Sequence, residues 1–236
     1  MRGCGIGRLA LAALLAGFSG TSALADDGGG AYAAVRFISG GSWLDGIERT
    51  GNPPGTFEVT HGEDLEYVGI GALAAGYSFA DQGLPVRLEL EYQHRLRFDF
   101  DSRVIVVPAP VFSTIDYAVN LASNVLMLNG YYDVVTGTPW QPYLGAGIGY
   151  VRHDAVTKRP NLTRTSEEEA TAHSDNLAAA AMVGVRVRFS SDWVGELGYR
   201  FTWLGSVETP TFSGGDQVTA DNYYSHDLVL GVSYLF

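Results

Sequence analysis

The stretch VRLELEYQHRLRFDF, residues 86–100, alternates between apolar and polar side chains with almost no exceptions. A period of two predicts a β-strand, because successive side chains of a strand point to opposite faces. The run is about twice the usual strand length. One face is apolar and aromatic, and the other carries charges of both signs. Such a strand suits a closed barrel in a bilayer, whereas a soluble barrel would show the same alternation with its faces exchanged.

The rest of the chain divides into similar segments. Eight strands are predicted, over residues 31–44, 63–79, 86–100, 115–134, 142–153, 175–189, 193–205 and 222–236. Their connections alternate between long (45–62, 101–114, 154–174, 206–221) and short (80–85, 135–141, 190–192). This asymmetry is typical of membrane barrels. We therefore predict an all-β fold, an eight-stranded antiparallel up-and-down transmembrane β-barrel with four long extracellular loops and three short periplasmic turns.

The N-terminus has the pattern of a secretory signal. Arg2 and Arg8 precede an apolar stretch over residues 9–18, and Ala23 and Ala25 form an A-x-A cleavage site. The apolar stretch is too short to span a membrane as a helix. The sequence therefore predicts a signal peptide over residues 1–25 and a barrel domain over residues 26–236.

This cleavage site gives a first testable prediction. N-terminal sequencing of the protein purified from membranes should give a chain that begins at Asp26, directly after Ala25. A chain that begins at Met1 would contradict the signal-peptide interpretation.

Composition and charge exclude several classes of protein. Hydrophobic residues make up 46% of the chain, and no run after residue 25 is long enough for a transmembrane helix. Loss of Arg2 and Arg8 reduces the 15 basic residues to 13, against 26 acidic residues, which gives a net charge of −13. Such an acidic chain is a poor partner for nucleic acid. The one cysteine, Cys4, lies in the predicted signal peptide, so disulfides and thiol chemistry are not expected after export.

The polar faces of the predicted strands define the candidate site. Its charged residues are expected to point into the lumen as one network: Arg87, Glu89, Glu91, Arg95, Arg97, Arg186, Arg188, Glu196, Arg200 and Asp227. Unpaired buried charges cost several kcal/mol each, so these groups must pair or be hydrated. One interpretation is an arginine–carboxylate network that fills the barrel, and the other is an ion gate. Glu196 is expected to pair with an arginine of the sixth strand, and Arg200 with Asp227 or another interior carboxylate.

Three segments carry a resemblance to a known family. LNGYYDVVTGTPWQPYLGAGIGY, residues 128–150, resembles the fourth-strand, turn and fifth-strand segment of opacity-type surface antigens, which belong with the OmpA-type eight-stranded barrels. ELGYR at 196–200 and LGVSYLF at 230–236 are also similar to that family. The similarity is sharp only in these segments, although the layout agrees over the mature chain.

The resemblance implies a location and partners. It places the protein in the bacterial outer membrane, among outer-membrane lipid and lipopolysaccharide, with a host or surface ligand as a further candidate partner of the loops. In such barrels the final strand is read by the barrel-assembly machinery. The corresponding residues here are Leu230, Val232, Tyr234 and Phe236.

No residue pattern indicates catalysis, a cofactor or a metal. Ser225 and His226 are adjacent, and adjacent strand residues point to opposite faces, so they are not expected to form a dyad. His61, His153 and His173 are expected in or beside loops, without the spacing of metal ligands. Glu167, Glu168 and Glu169 are expected to be solvated, with divalent-cation binding between lipopolysaccharide phosphates as an alternative.

These observations favour a structural or surface-interaction role: membrane integrity, adhesion or antigenic display. Two alternatives remain open from the sequence. The first is a narrow porin-like channel for small solutes or ions. The second is a soluble periplasmic lipocalin-like binding protein, in which the apolar faces would line an interior cavity.

Overall fold

The described part of the chain consists mainly of long strands. A computed structural model describes residues 29–50, 58–60, 66–106, 113–160, 167–208, 211 and 217–236. The strands are β1 (Gly30–Thr50), β2 (Glu58–Thr60), β3 (Glu66–Ser78), β4 (Val86–Val106), β5 (Ser113–Asp133), β6 (Trp140–Pro160), β7 (Glu167–Arg188), β8 (Trp193–Trp203), β9 (Val207–Glu208) and β10 (Gln217–Leu235). One 3-10 turn, Ala80–Gln82, lies between β3 and β4. No helix in the described part of the chain has the length and apolar character needed to cross a membrane.

The sheet closes on itself. Each of the eight long strands is antiparallel to its neighbours, and β1 pairs with both β3 and β10. Closure leaves no edge strand around the barrel wall, and it satisfies the backbone of every strand there without water. The two short strands lie outside this ring, since β2 pairs with β4 and β9 pairs with β10. The predicted eight-stranded antiparallel barrel is therefore confirmed.

Several strands run further than the alternation predicts. The segment 154–174 was expected as a loop, yet β6 and β7 stay paired through Pro160 and Glu167. Oppositely charged residues face each other across this ladder: Lys158 lies 3.4 Å from Glu169, and Asp154 accepts a hydrogen bond from His173 at 2.6 Å. Such cross-strand pairs stabilise a ribbon that has no face of large apolar side chains. Because the inward residues here are small, such as Ala155 and Ala172, hydrophobic periodicity did not reveal it.

The two faces of the wall differ in chemistry. Large apolar side chains are exposed on the outside, among them Phe37, Leu73, Leu90, Leu128, Ile148, Leu197 and Leu230. The inside holds all the buried charges described below. The fourth long strand, β5, whose faces the sequence left ambiguous, turns Val125 and Met127 inward and Leu126 and Leu128 outward. Each strand therefore contributes alternately to the exterior and the lumen.

The exposed apolar residues form a belt with aromatic residues near both ends. On β6 the belt runs from Trp140 to Tyr150, which are 58% and 48% exposed. Ten strand residues rise about 34 Å, or roughly 26 Å along the axis at a tilt of ~40°. Above Tyr150 the outer face becomes polar, because Arg152 pairs with Asp175 at 3.1 Å. The belt thus has the height of the hydrocarbon core that a membrane barrel crosses.

The charged interior as the candidate functional site

The structure buries most of the charged residues that the alternation predicted. Eight lie inside with side chains at most 7% exposed: Arg87, Glu89, Glu91, Arg95, Arg186, Glu196, Arg200 and Asp227. Arg188 is only half-buried and donates to the Ser191 carbonyl at 3.2 Å, so it lies at the rim. Arg97 follows a register shift in β4, and its side chain is outside the described residues.

The centre of the cluster is an arginine that sequence reasoning missed. Arg36 on β1 donates to both carboxylate oxygens of Glu89 at 2.7 and 2.8 Å, to Glu91 at 2.5 Å and to Glu196 at 3.0 Å. It is 2% exposed. Its place in the sequence did carry a signal, because Tyr32, Arg36 and Ile38 alternate with Val35 and Phe37. A single charge in an otherwise apolar segment was too little to single it out.

Neutral donors complete the hydrogen bonds of these carboxylates. Tyr32 donates to Glu89 at 3.0 Å, and Tyr131 donates to the other oxygen of the same carboxylate at 3.1 Å. Tyr143 donates to Glu196 at 2.7 Å. A buried charge is tolerated only where its remaining lone pairs are also satisfied, so the tyrosines belong to the network as much as the arginines do.

The partner expected for Glu196 is wrong, whereas Arg200 pairs with another interior carboxylate, as expected. The register places Arg186 opposite Glu196, and Asp227 opposite Arg200. Glu196 instead pairs with Arg36, and Arg200 makes two hydrogen bonds across the lumen to Glu91 at 2.6 and 3.2 Å. The reason is the small diameter of an eight-stranded barrel, in which inward side chains converge and a long guanidinium reaches past the neighbouring strand.

A second polar level lies beside this network. Arg95 donates to Ser225 at 2.7 Å and to Ser42 at 3.2 Å, while its Nη1 lies 3.6 Å from Asp227. Buried atoms without hydrogen-bond partners are concentrated here, including Nε and Nη1 of Arg95, Oδ2 of Asp227 and Oγ1 of Thr202. Buried polar groups of this kind are usually bridged by ordered water, so this level is suited to hydration.

A short segment that follows β8, residues 204–207, covers this level with apolar side chains that point inward. Leu204 and Val207, just after β8, are 0% and 3% exposed. The Leu204 carbonyl accepts a hydrogen bond from Nε2 of His153 at 3.0 Å. The other ring nitrogen of His153, Nδ1, lies 2.7 Å from Ser123 Oγ. Asn176 donates to the Ser206 carbonyl at 2.7 Å. His153, which was expected beside a loop at the end of the predicted strand over residues 142–153, is therefore a buried residue within β6 that holds this segment.

The covering segment depends on Gly205. Its φ of +77° is a left-handed conformation, and an added Cβ would lie 2.7 Å from Cβ of Asn176. Gly137 in a short turn has a similar φ of +66° but nothing within 4 Å of that position. We expect Gly137→Ala to cost about 1–2 kcal/mol for the backbone alone, and Gly205→Ala to cost about 1–3 kcal/mol more from overpacking. Urea unfolding in lipid vesicles measures both variants, and equal losses would contradict a tightly held cover.

The interior charges of the described residues are balanced. The five arginines are Arg36, Arg87, Arg95, Arg186 and Arg200, and the five carboxylates are Glu89, Glu91, Asp133, Glu196 and Asp227. Asp133 was also missed from the sequence, because it ends β5 next to a predicted turn. Equal numbers let a low-dielectric interior hold ten charges as mutual counter-ions.

Other residues considered for chemistry lie apart from one another. Ser225 is buried inside, whereas His226 is exposed outside, where it stacks on Trp43 with ring centroids 4.5 Å apart and contacts the Tyr199 hydroxyl. His173 is exposed on β7 beside Asp154. His61 and the predicted cleavage residues Ala23 and Ala25 are outside the described residues. Glu169 is exposed, and the side chains of Glu167 and Glu168 are not described.

The residues expected to serve as an assembly signal form the outer face of the last strand. Leu230, Val232 and Tyr234 are 48%, 43% and 37% exposed, and Phe236 is 79% exposed. Tyr234 contacts Trp193 and Phe236 edge-on, with centroids 5.1 and 5.2 Å apart. These rings form part of one aromatic end of the belt. Recognition of these residues by the barrel-assembly machinery stays a prediction.

A closed antiparallel barrel with an apolar belt, aromatic ends and a charged lumen defines a transmembrane β-barrel. Residues 10–236 match the model of the family described as outer membrane protein beta-barrel domain. The chain belongs to this family, and the protein is an outer-membrane barrel. The alternative of a soluble periplasmic lipocalin-like protein is wrong, because the apolar faces point outward and the charges inward.

The chain is also similar to individual known proteins. The chain is 29% identical over 174 residues to outer membrane protein PagN of Salmonella typhimurium, an alignment that covers 70% of this chain and 72% of PagN. Among solved structures, it is similar to OprG of Pseudomonas aeruginosa, with a TM-score of 0.54, 15% identity and coverage of 88% and 96%. Neisserial surface protein A gives a TM-score of 0.48 and 16% identity, with coverage of 88% and 99%. The OprG similarity supports the fold alone.

Proposed function

We propose that this protein is a non-conducting, non-enzymatic barrel that holds an interaction surface outside the cell. The observation that carries the proposal is the filled lumen: ten buried or nearly buried charges act as counter-ions for one another, and Leu204 and Val207 cover them. A lumen filled in this way leaves little room for solute passage. The role that fits such a barrel is a rigid mount in the membrane, which serves membrane integrity and display.

The end of the barrel away from the short turns supports the display part of the proposal. Beyond Arg152 and Asp175 the strands β6 and β7 continue for eight residues each, to Pro160 and Glu167. Eight residues correspond to about 27 Å of strand. The ladders from β4 to β7 also remain paired there, up to Val106 opposite Ser113 and Lys158 opposite Ala118. A projecting sheet of this length reaches past the lipid headgroups.

PagN of Salmonella typhimurium supports this proposal, because it is an outer membrane protein and 72% of its sequence aligns with this chain. Surface adhesion to a host ligand, with lipopolysaccharide as the surrounding partner, is the role that we propose to test first. Proteolysis of intact cells should cleave within the projecting hairpins and leave the barrel core protected. Cleavage only after the outer membrane is permeabilised would contradict exterior display.

Single-channel recording in planar bilayers tests the closed lumen. The purified protein should give no steady conductance, because the Arg36 network fills the barrel at mid-height and the segment from Leu204 to Val207 covers it. A well-defined conductance in the unmodified protein would favour the narrow channel instead. The variant Leu204→Gly is the matched comparison, since it loosens the segment from Leu204 to Val207 but leaves the charge network in place.

A further inference from the structure

A small cavity opens at the end of the barrel that carries the short turns. It has a volume of about 30 Å³, and its polar lining comprises Ser78, Asp133, Gln141, Arg186 and Arg188. The first residue of β1, Gly30, and the last residue of β10, Leu235, lie at this same end of the wall. In an outer-membrane barrel the short turns face the periplasm, so the cavity is a periplasmic mouth.

The arginines at this mouth share one carboxylate. Arg87 takes both oxygens of Asp133, through Nε at 2.6 Å and Nη2 at 3.0 Å. Arg186 lies further from the same carboxylate, with 3.8 Å between its Nη1 and Oδ2 of Asp133. Its Nε is buried and has no hydrogen-bond partner. Arg186 is 5% exposed, so this unmet donor is inside the wall and not in bulk solvent.

The carboxylate opposite Arg186 does not supply the missing hydrogen-bond acceptor. Glu196 faces it across the β7–β8 ladder, but its two oxygens accept from Arg36 at 3.0 Å and from Tyr143 at 2.7 Å. The mouth therefore holds Arg87 and Arg186 against Asp133, with Arg188 at the rim as a further positive charge. A positive excess around a cavity attracts anions, and it does so more strongly where water is partly excluded.

We propose that this periplasmic mouth binds one phosphate-class oxyanion, held by Arg186 and Arg188. A guanidinium presents a planar fork of donors that matches two oxygens of a phosphate. One water needs about 10–15 Å³ of such space, so the cavity admits one edge of a phosphate while the rest of the group faces the periplasm. The hydroxyl of Ser78 is a further donor in the lining. Asp133 would repel the anion, but both of its oxygens are turned to Arg87.

Such a group has two sources, free inorganic phosphate and the headgroup of a phospholipid in the periplasmic leaflet. The first arm of the test titrates the refolded barrel, in a zwitterionic detergent at constant ionic strength, with sodium phosphate by calorimetry. The second arm measures, by native mass spectrometry, whether phosphatidylglycerol stays bound when the barrel leaves phosphatidylcholine nanodiscs that contain it. Binding in one arm supports the site and names its source.

The variants decide whether the site is the one proposed. Arg186→Gln should weaken binding ten-fold or more, and Arg188→Gln should weaken it to a smaller extent. Arg152→Gln is the control, because Arg152 is exposed on the outer face and already paired with Asp175. Heat-modifiable mobility on gels shows whether each variant is folded, and if R186Q does not fold, R188Q alone decides. Absence of saturable binding in both arms, or equal losses in R152Q, would overturn the proposal.

Discussion

Replacement of Arg36 by Met should destabilise the barrel by about 3–5 kcal/mol, the usual cost of stranding buried charge. Arg36 forms ion pairs with Glu89, Glu91 and Glu196. Among the described residues, it is the only cation within ion-pair distance of Glu89 and of Glu196. Met keeps much of the volume but none of the donors. Urea unfolding in phospholipid vesicles, followed by tryptophan fluorescence, gives the free energy of unfolding.

Two further variants make this result specific. Arg152→Met removes an arginine that is also paired, but its side chain is 55% exposed, so its loss should cost about 0–1 kcal/mol. The triple variant Arg36→Met, Glu89→Gln, Glu196→Gln should recover part of the loss, because Glu91 keeps both bonds to Arg200 and no carboxylate is left without a cation. A cost for R36M no larger than for R152M would show that the interior is well hydrated and the network dispensable.

Arginine in place of Leu90 should destabilise the barrel by about 2–4 kcal/mol, the cost of a cation on the lipid face near the midplane. Leu90 is 53% exposed within the apolar belt, opposite Leu128 on β5. The same change at Thr171 is the matched control, because Thr171 also points outward but lies beyond Asp175 and above the belt.

Unfolding of both variants in vesicles separates depth in the membrane from the effect of arginine itself. We expect the Thr171→Arg barrel to be nearly as stable as the parent. If Leu90→Arg were equally harmless, the outer face at this level would not be in contact with hydrocarbon, and the position of the belt assigned from β6 would be wrong.

Much of the fold could be read from local pattern, and the failures have physical causes. The ribbon formed by residues 154–158 opposite residues 169–173 has no face of large apolar side chains, so hydrophobic periodicity stops while the backbone ladder continues. β5 was ambiguous because polar and apolar residues stand on both of its faces, as with Asn129 inside and Asn124 at the outer surface. Only closure of the barrel decided which face of β5 was buried.

The candidate site was also only partly predictable from the sequence. Alternation identified Glu89, Glu91 and Arg200 as interior residues, but it did not identify Arg36, which joins two of them. Leu204 lies in the predicted strand over residues 193–205, on the same face as Arg200 and Thr202, but its apolar side chain gave no sign of its contact with the segment held by His153.

The sequence by itself determined that the chain forms the long alternating strands of a barrel, favoured a membrane barrel over a soluble one, and at most positions assigned each side chain to one of the two faces. That information is local, because a strand turns alternate residues to opposite faces whatever its neighbours are. The tertiary structure alone decided which charges meet. Arg36 and Glu196 are 160 residues apart and lie on β1 and β8, which do not pair with each other. Their contact exists only because closure of the wall places both strands beside β10, where Arg36 and Glu196 flank Gly231.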